Sequence, residues 1–72
     1  MDDQPTRLWS LSRDGHEMTC DVTLVTYGIE ITLARDGEAI VTRVFETGEE
    51  ALGWAEQKRA NREADGWKTP SA

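Results

Sequence analysis

Two side chains in this sequence could do covalent or metal chemistry. They are Cys20 and His16, the one cysteine and the one histidine among its 72 residues. A thiolate nucleophile needs a base within hydrogen-bond reach, and a zinc centre needs three or four strong ligands. If both residues lie on one strand, they are ~13 Å apart at ~3.3 Å per residue. That is too far to share a proton or a metal. His16 has Asp14 and Glu17 beside it, but no second histidine or cysteine completes a ligand set. Cys20 falls in an alternating apolar stretch and reads as a packed core thiol; His16 reads as an exposed turn residue. No glycine-rich loop could cradle a phosphate, because Gly48 stands alone and Gly53 lies inside a helical stretch. The sequence therefore predicts no catalytic residue, no cofactor and no metal centre, and the chain is read as not an enzyme.

The remaining chemistry is that of docking. Lys58, Arg59 and Arg62 form the one positive cluster in sequence. They either complement the negative end of a helix or form a patch for an acidic partner or a phosphate. Of the three tryptophans, Trp9 and Trp54 are expected to face each other in the core. Trp67 is either a lid on that core or an exposed binding anchor. The formal net charge is −6, with 14 acidic against 8 basic residues. That balance keeps a small domain soluble and opposes nucleic-acid binding, which depends on cations releasing counterions. Basic proteins stay open as partners. A lone cysteine cannot form an internal disulfide, so a reducing, cytoplasmic location is expected. No apolar run approaches the ~18 residues of a membrane span.

The elements that position these residues begin with an internal repeat. Residues 9–22 and 31–44 share a leucine, an Arg-Asp-Gly triplet and a closing valine. Each copy reads as a strand, an Asp-Gly turn and a second strand. Asp-Gly supplies the two positive-φ positions of a type I′ hairpin turn. Four strands are expected, at about 7–12, 17–25, 28–35 and 39–45, with a weaker middle turn at Thr26-Tyr27. Two-residue turns set the register: Leu11 faces Met18, Trp9 faces Cys20, Leu24 faces Ile29, and Val22 faces Ile31. In the second hairpin Leu33 is expected to face Ile40, and Ile31 to face Thr42. Period-two alternation then gathers Trp9, Leu11, Met18, Cys20, Val22, Leu24, Ile29, Ile31, Leu33, Ile40 and Val44 on one face. The other face takes Leu8, Thr19, Asp21, Thr23, Val25, Glu30, Thr32, Val41, Arg43 and Phe45. Glu30 is expected opposite Arg43. Phe45 falls opposite Gly28, where it covers the bare glycine or is swung into the core by a bulge.

Thr47-Gly48-Glu49-Glu50 is a capping box, and Asp65-Gly66 supplies a C-terminal glycine stop, so a helix is expected over 48–64. Ala51, Leu52, Trp54 and Ala55 share the side that covers the apolar sheet face. Residues 1–6 and 68–72 read as frayed ends, leaving an ordered core of about 7–67 in a single domain. At this length a chain buries only ~60% of its unfolded surface, so the core is thin.

The segment Phe45-Glu46-Thr47-Gly48-Glu49-Glu50-Ala51-Leu52-Gly53-Trp54-Ala55 resembles the strand-to-helix joint of arm-type DNA-binding domains of tyrosine recombinases. The resemblance covers about residues 27–60. It implies a sheet backed by a helix, and a sheet face laid in the major groove. The family reads DNA with basic and polar residues on that face, where this chain carries Asp21 and Glu30 against Arg43 alone. The whole chain is also similar to a group of small, uncharacterised bacterial proteins with a Trp-x-Leu start, an Asp-Gly hairpin and a closing Trp-Ala helix. That similarity implies a bacterial cytoplasmic protein.

The expected fold is α+β: a four-stranded antiparallel β-meander with one C-terminal helix packed on one face. The expected function is a non-enzymatic interaction or accessory module that binds a protein partner or itself, with a monomer as the alternative to a homodimer. A DNA-binding module of the recombinase-arm type is the rival. Neither nucleic acid nor a membrane is the expected partner. The last strand is the less protected sheet edge, with Arg43 as its one charge between residues 39 and 45. Val41, Arg43, Phe45, Lys58, Arg59, Arg62 and Trp67 are the candidate interaction residues.

Overall fold

The computed structural model describes residues 5–69. Its elements are β1 (Thr6–Arg13), β2 (His16–Val25), β3 (Gly28–Arg35), β4 (Glu38–Phe45) and α1 (Gly48–Ala64). The strands form one antiparallel sheet in the order β1-β2-β3-β4, and the helix lies across one face. This is the α+β meander that the turn and cap signals predict. The ends expected to fray lie partly outside the described residues, at 1–4 and 70–72.

The outer hairpins form for the reason their sequences give. Asp14 and Gly15 have φ of 52° and 82°, and Asp36 and Gly37 have 53° and 85°. Left-handed φ at both central positions is what a type I′ turn demands. The β1–β2 register follows, with Leu11 paired to Met18 and Trp9 to Cys20, and across the Thr26-Tyr27 turn the β2–β3 register is also the expected one, with Val22 paired to Ile31 and Leu24 to Ile29.

The β3–β4 register differs from expectation. A bulge at Ile40 makes Leu33 pair with Val41, Ile31 with Arg43, Ile29 with Phe45 and Glu30 with Val44. One extra residue inverts the alternation of everything after it. Val41, Arg43 and Phe45 therefore turn to the helix face, and no Glu30–Arg43 pair forms. Ile40 and Val44, expected in the core, are 47% and 42% exposed. Phe45 gains a partner from this arrangement: its ring centroid lies 5.6 Å from that of Trp54. A second bulge, at Leu8, brings that side chain against the core instead of the open face.

Gly28 anchors the β3–β4 end of the sheet. A Cβ there would collide with the backbone carbonyl of Phe45 and would lie 3.2 Å from Val44 Cγ1. Gly28→Ala is therefore expected to cost about 1–3 kcal/mol, as overpacking does elsewhere. A denaturation midpoint equal to that of the parent would show that β4 is not held against this glycine.

The core consists of Trp9, Leu11, Met18, Cys20, Ile31 and Leu33 from the sheet, with Ala51 and Ala55 from the helix. Two alanines on the buried helix face let the backbone approach closely. The Trp9 indole N–H donates to the Ala55 carbonyl at 3.1 Å, which satisfies the buried ring nitrogen. Trp9 and Trp54 thus part company: Trp54 is half-buried against Phe45, towards β4. Leu24, expected in the core, is 76% exposed. Leu52 is likewise exposed, beside a groove lined by Leu8 and Trp9.

The helix ends act as their sequences predict, with one adjustment. Thr47 Oγ1 accepts from the Glu50 N–H at 3.2 Å and donates to Glu50 Oε1 at 3.3 Å. The return bond of the cap therefore comes from the hydroxyl and not from the Thr47 N–H. At the other end Gly66, at φ 98°, donates to Glu63 O, and Trp67 N–H donates to Arg62 O. This is a Schellman closure. It turns the chain back so that Trp67 seals the core at 7% exposure. Of the two readings of Trp67, the lid is the one the fold adopts. The next residue is not frayed: Ser12 N–H donates to Lys68 O at 2.7 Å, and Lys68 N–H donates to Ser12 O at 2.9 Å.

Candidate functional site

The two residue types best suited to chemistry are both committed to structure. Cys20 lies fully buried between Trp9 and Leu33 in the sheet. Burial, followed by the Asp21 charge, pushes its thiol up to about 11. Only a small fraction is thiolate at neutral pH, and thiolate is the reactive form. Native protein should therefore react with an aromatic disulfide reagent far more slowly than protein in denaturant. Equal rates would contradict both the burial and the β1–β2 register.

His16 Nδ1 lies 2.8 Å from Asp36 Oδ2, so its partner is the other Asp-Gly turn and not Asp14 or Glu17. Among the described residues no group of three or more His, Cys, Asp or Glu is placed to hold a metal ion. Asp36 ties the two turns together. Its Oδ1 accepts from the Glu17 N–H at 2.8 Å, and its own N–H donates to Glu17 O at 2.7 Å. The Glu17 N–H, then the His16 contact, hold the Asp36 carboxyl below the ordinary aspartate range. A carboxylate with a lowered folded-state pKa contributes stability above its unfolded value and loses it as pH falls through the folded one. Asp36→Asn should therefore be less stable than the parent at neutral pH, with the gap closing in acid. A gap that is constant with pH would exclude a role for the charge.

The interaction candidates do not form one cluster. Strand order leaves β1 and β4 at the sheet edges. The β1 edge is partly occupied by the Ser12–Lys68 bridge. No such pairing covers β4 among the described residues, and every β4 residue except Phe45 is exposed. Beside this edge the bulge and the helix assemble a cationic-aromatic flank. The Arg43 guanidinium lies 5.5 Å from the Phe45 ring centroid and 5.8 Å from that of Trp54. Lys58 Nζ lies 5.3 Å from the Trp54 centroid on the same flank. Each such contact is worth about 0.5–1 kcal/mol at an exposed site and holds the cation in place.

The helix cations separate. Lys58 joins Arg43 at the β4 side. Arg59 is neutralised by Glu56 and Glu63, each at 3.5 Å. Arg62 points to the opposite end of the sheet, where it lines a cleft with Arg13, Arg35 and Trp67. Val41 lies on the helix face, partly exposed beyond the helix. Trp67 is buried and presents no free ring.

Sequence reasoning did not single out Arg13 and Arg35. Their signal was the repeated Arg-Asp-Gly triplet, which puts an arginine immediately before each outer turn at one end of the sheet.

Comparison of the chain with protein-family models, with curated proteins and with solved structures finds no match.

Proposed function

We propose that this chain is a small, non-enzymatic interaction module that receives an extended segment of a protein partner along β4. The observation that carries the reading is the asymmetry of the two sheet edges. One edge is engaged by the chain's own Lys68, and the other, among the described residues, offers unpaired backbone groups along an exposed strand. An added strand gains affinity from main-chain hydrogen bonds and specificity from the side chains beside it. Arg43 and Lys58 supply that specificity, favouring a partner segment that carries acidic side chains next to apolar ones. The lone buried thiol suits a reducing bacterial cytoplasm. No helix among the described residues is long and apolar enough to cross a membrane.

Self-association uses the same edge and is the second form of this reading. The bulge at Ile40 and the Arg43 charge are both devices that discourage indiscriminate edge pairing. They favour a complementary partner over a second copy. The recombinase-arm reading loses support from the same bulge. It removes Arg43 from the open sheet face, where Arg7 is already paired with Asp21 at 3.0 Å.

The test compares the parent with Val41→Lys and Val44→Lys, two exposed edge positions where lysine should block strand addition without unfolding the domain. Proteins captured from cell lysate by the parent should be lost with both variants. Sedimentation at several concentrations separates the self-associating form. Full retention of every captured protein by both folded variants would remove β4 as the docking edge. Saturable, sequence-dependent DNA binding at physiological salt would replace the reading with its rival.

A further inference from the structure

A second site lies at the opposite end of the molecule and does not depend on the β4 reading. The Asp-Gly turns of both outer hairpins meet there, next to the C-terminal end of α1. A cleft of about 520 Å³ opens between them, with Arg13, Arg35 and Arg62 on its walls and Met18, Ile40 and Trp67 as its apolar lining.

The three arginines arrive by separate routes. Arg13 and Arg35 are the copies of one position in the Arg-Asp-Gly repeat, and both occupy helix-face registers, Arg35 opposite Met18. Arg62 comes from the last turn of the helix. Trp67 gives them a common surface, with the Arg35 guanidinium 5.9 Å from its ring centroid. Arg13 packs by Gly66, where a Cβ would lie 3.6 Å from its Nε.

The electrostatics of this cleft are not closed by the protein. Among the described residues, Arg13 has one loose contact, to Asp14 at 3.5 Å, and neither Arg35 nor Arg62 makes an ion pair. The Nε of Arg62 is buried without a hydrogen-bond partner. Asp14 and Asp65 also line the cleft and the Asp36 carboxylate stands beside it, bonded to His16 and acting on Arg35, so the three guanidinium groups are matched in number, yet only Arg13 has an ion-pair contact among the described residues. The His16 ring is already engaged by Asp36. A guanidinium offers a planar fork suited to an oxyanion.

We propose that this cleft binds a small molecule through an oxyanion group, a phosphate or a carboxylate, with an apolar or aromatic body resting against the exposed Ile40 side chain at its rim. The oxyanion bridges the Arg62 guanidinium to that of Arg13 or Arg35. The exposed Ile40 side chain gives a body-bearing ligand an advantage over the bare ion.

The test is an NMR titration of the full chain with inorganic phosphate, phenyl phosphate and benzoate, with sodium chloride at matched ionic strength as the control. Saturable shifts are expected at the Trp67 indole N–H and at the backbone of Arg13, Arg35 and Arg62. The better of the two aromatic probes should bind at ~1 mM or tighter. Phenyl phosphate should bind more tightly than inorganic phosphate. Whichever of phenyl phosphate and benzoate binds more tightly identifies the oxyanion. Arg62→Gln and Arg35→Gln should each weaken binding about tenfold or more, while Lys58→Gln leaves it unchanged. Thermal unfolding of each variant verifies that the fold persists. Shifts that track chloride, shifts centred on Arg43 and Lys58, or affinities unaffected by both arginine substitutions would overturn the proposal.

Discussion

Replacing Trp67 by alanine is expected to destabilise the domain by about 3–5 kcal/mol, the range for a large buried aromatic. The ring is 7% exposed and is set in place by the Schellman turn at Gly66. Its removal opens the core cluster beside Met18. It also frees Lys68 from Ser12, so the β1 edge loses its cover. A domain of this length has about 4–11 kcal/mol of stability in total, so most of it is at stake. Trp54→Ala should cost less, because that ring is half-buried and faces Phe45 at the rim of the core. Chemical denaturation followed by circular dichroism separates the two variants. A Trp54 variant less stable than the Trp67 variant would reverse the assignment of lid and rim.

Ile31→Ala is expected to cost about 2–5 kcal/mol, a lost side chain plus the cavity it leaves. Ile31 is fully buried on β3, the strand beneath the helix, between Val22 and Arg43. Ala51 and Ala55, the buried helix residues of this cluster, are too small to refill the space. Substituting Val44, on the same sheet but facing out, should change stability by only a few tenths of a kcal/mol. The contrast reads the β3–β4 register directly. A register without the bulge buries Val44 and predicts a large loss at that position.

The parts of the fold that were legible in the sequence are those set by local chemistry. Asp14-Gly15 and Asp36-Gly37 need left-handed φ and have it, and Thr47 and Gly66 bound the helix. The β4 bulge was not legible as a definite register, because both alternations of Ala39-Ile40-Val41-Thr42-Arg43-Val44-Phe45 carry apolar residues. Ile40 with Val44 fits one face as well as Val41 with Phe45 fits the other. The Phe45–Trp54 stack, a tertiary contact, is formed only by the second. The edge pairing of Lys68 was hidden for a similar reason. Lys68-Thr69-Pro70 has no strand pattern, and burial of Trp67 brings Lys68 to Ser12. The candidate cations were legible as residues but not as sites. A helix gives Lys58, Arg59 and Arg62 nearly one side, and only the sheet beneath decides that Lys58 joins Arg43 while Arg62 joins Arg13 and Arg35.

The central claim is that β4 is the docking edge. Residue-resolved amide hydrogen exchange, on the free chain and on the chain saturated with a captured partner, tests it most directly. In the free chain the Ser12 amide should be protected by Lys68, and the amides of β4 that face away from β3 should exchange rapidly. In the complex those β4 amides should gain protection at alternate positions from 39 to 45, the signature of an added strand, with β1 unchanged. Protection that appears on the open sheet face or along β1, with β4 exchanging as in the free chain, would contradict the account.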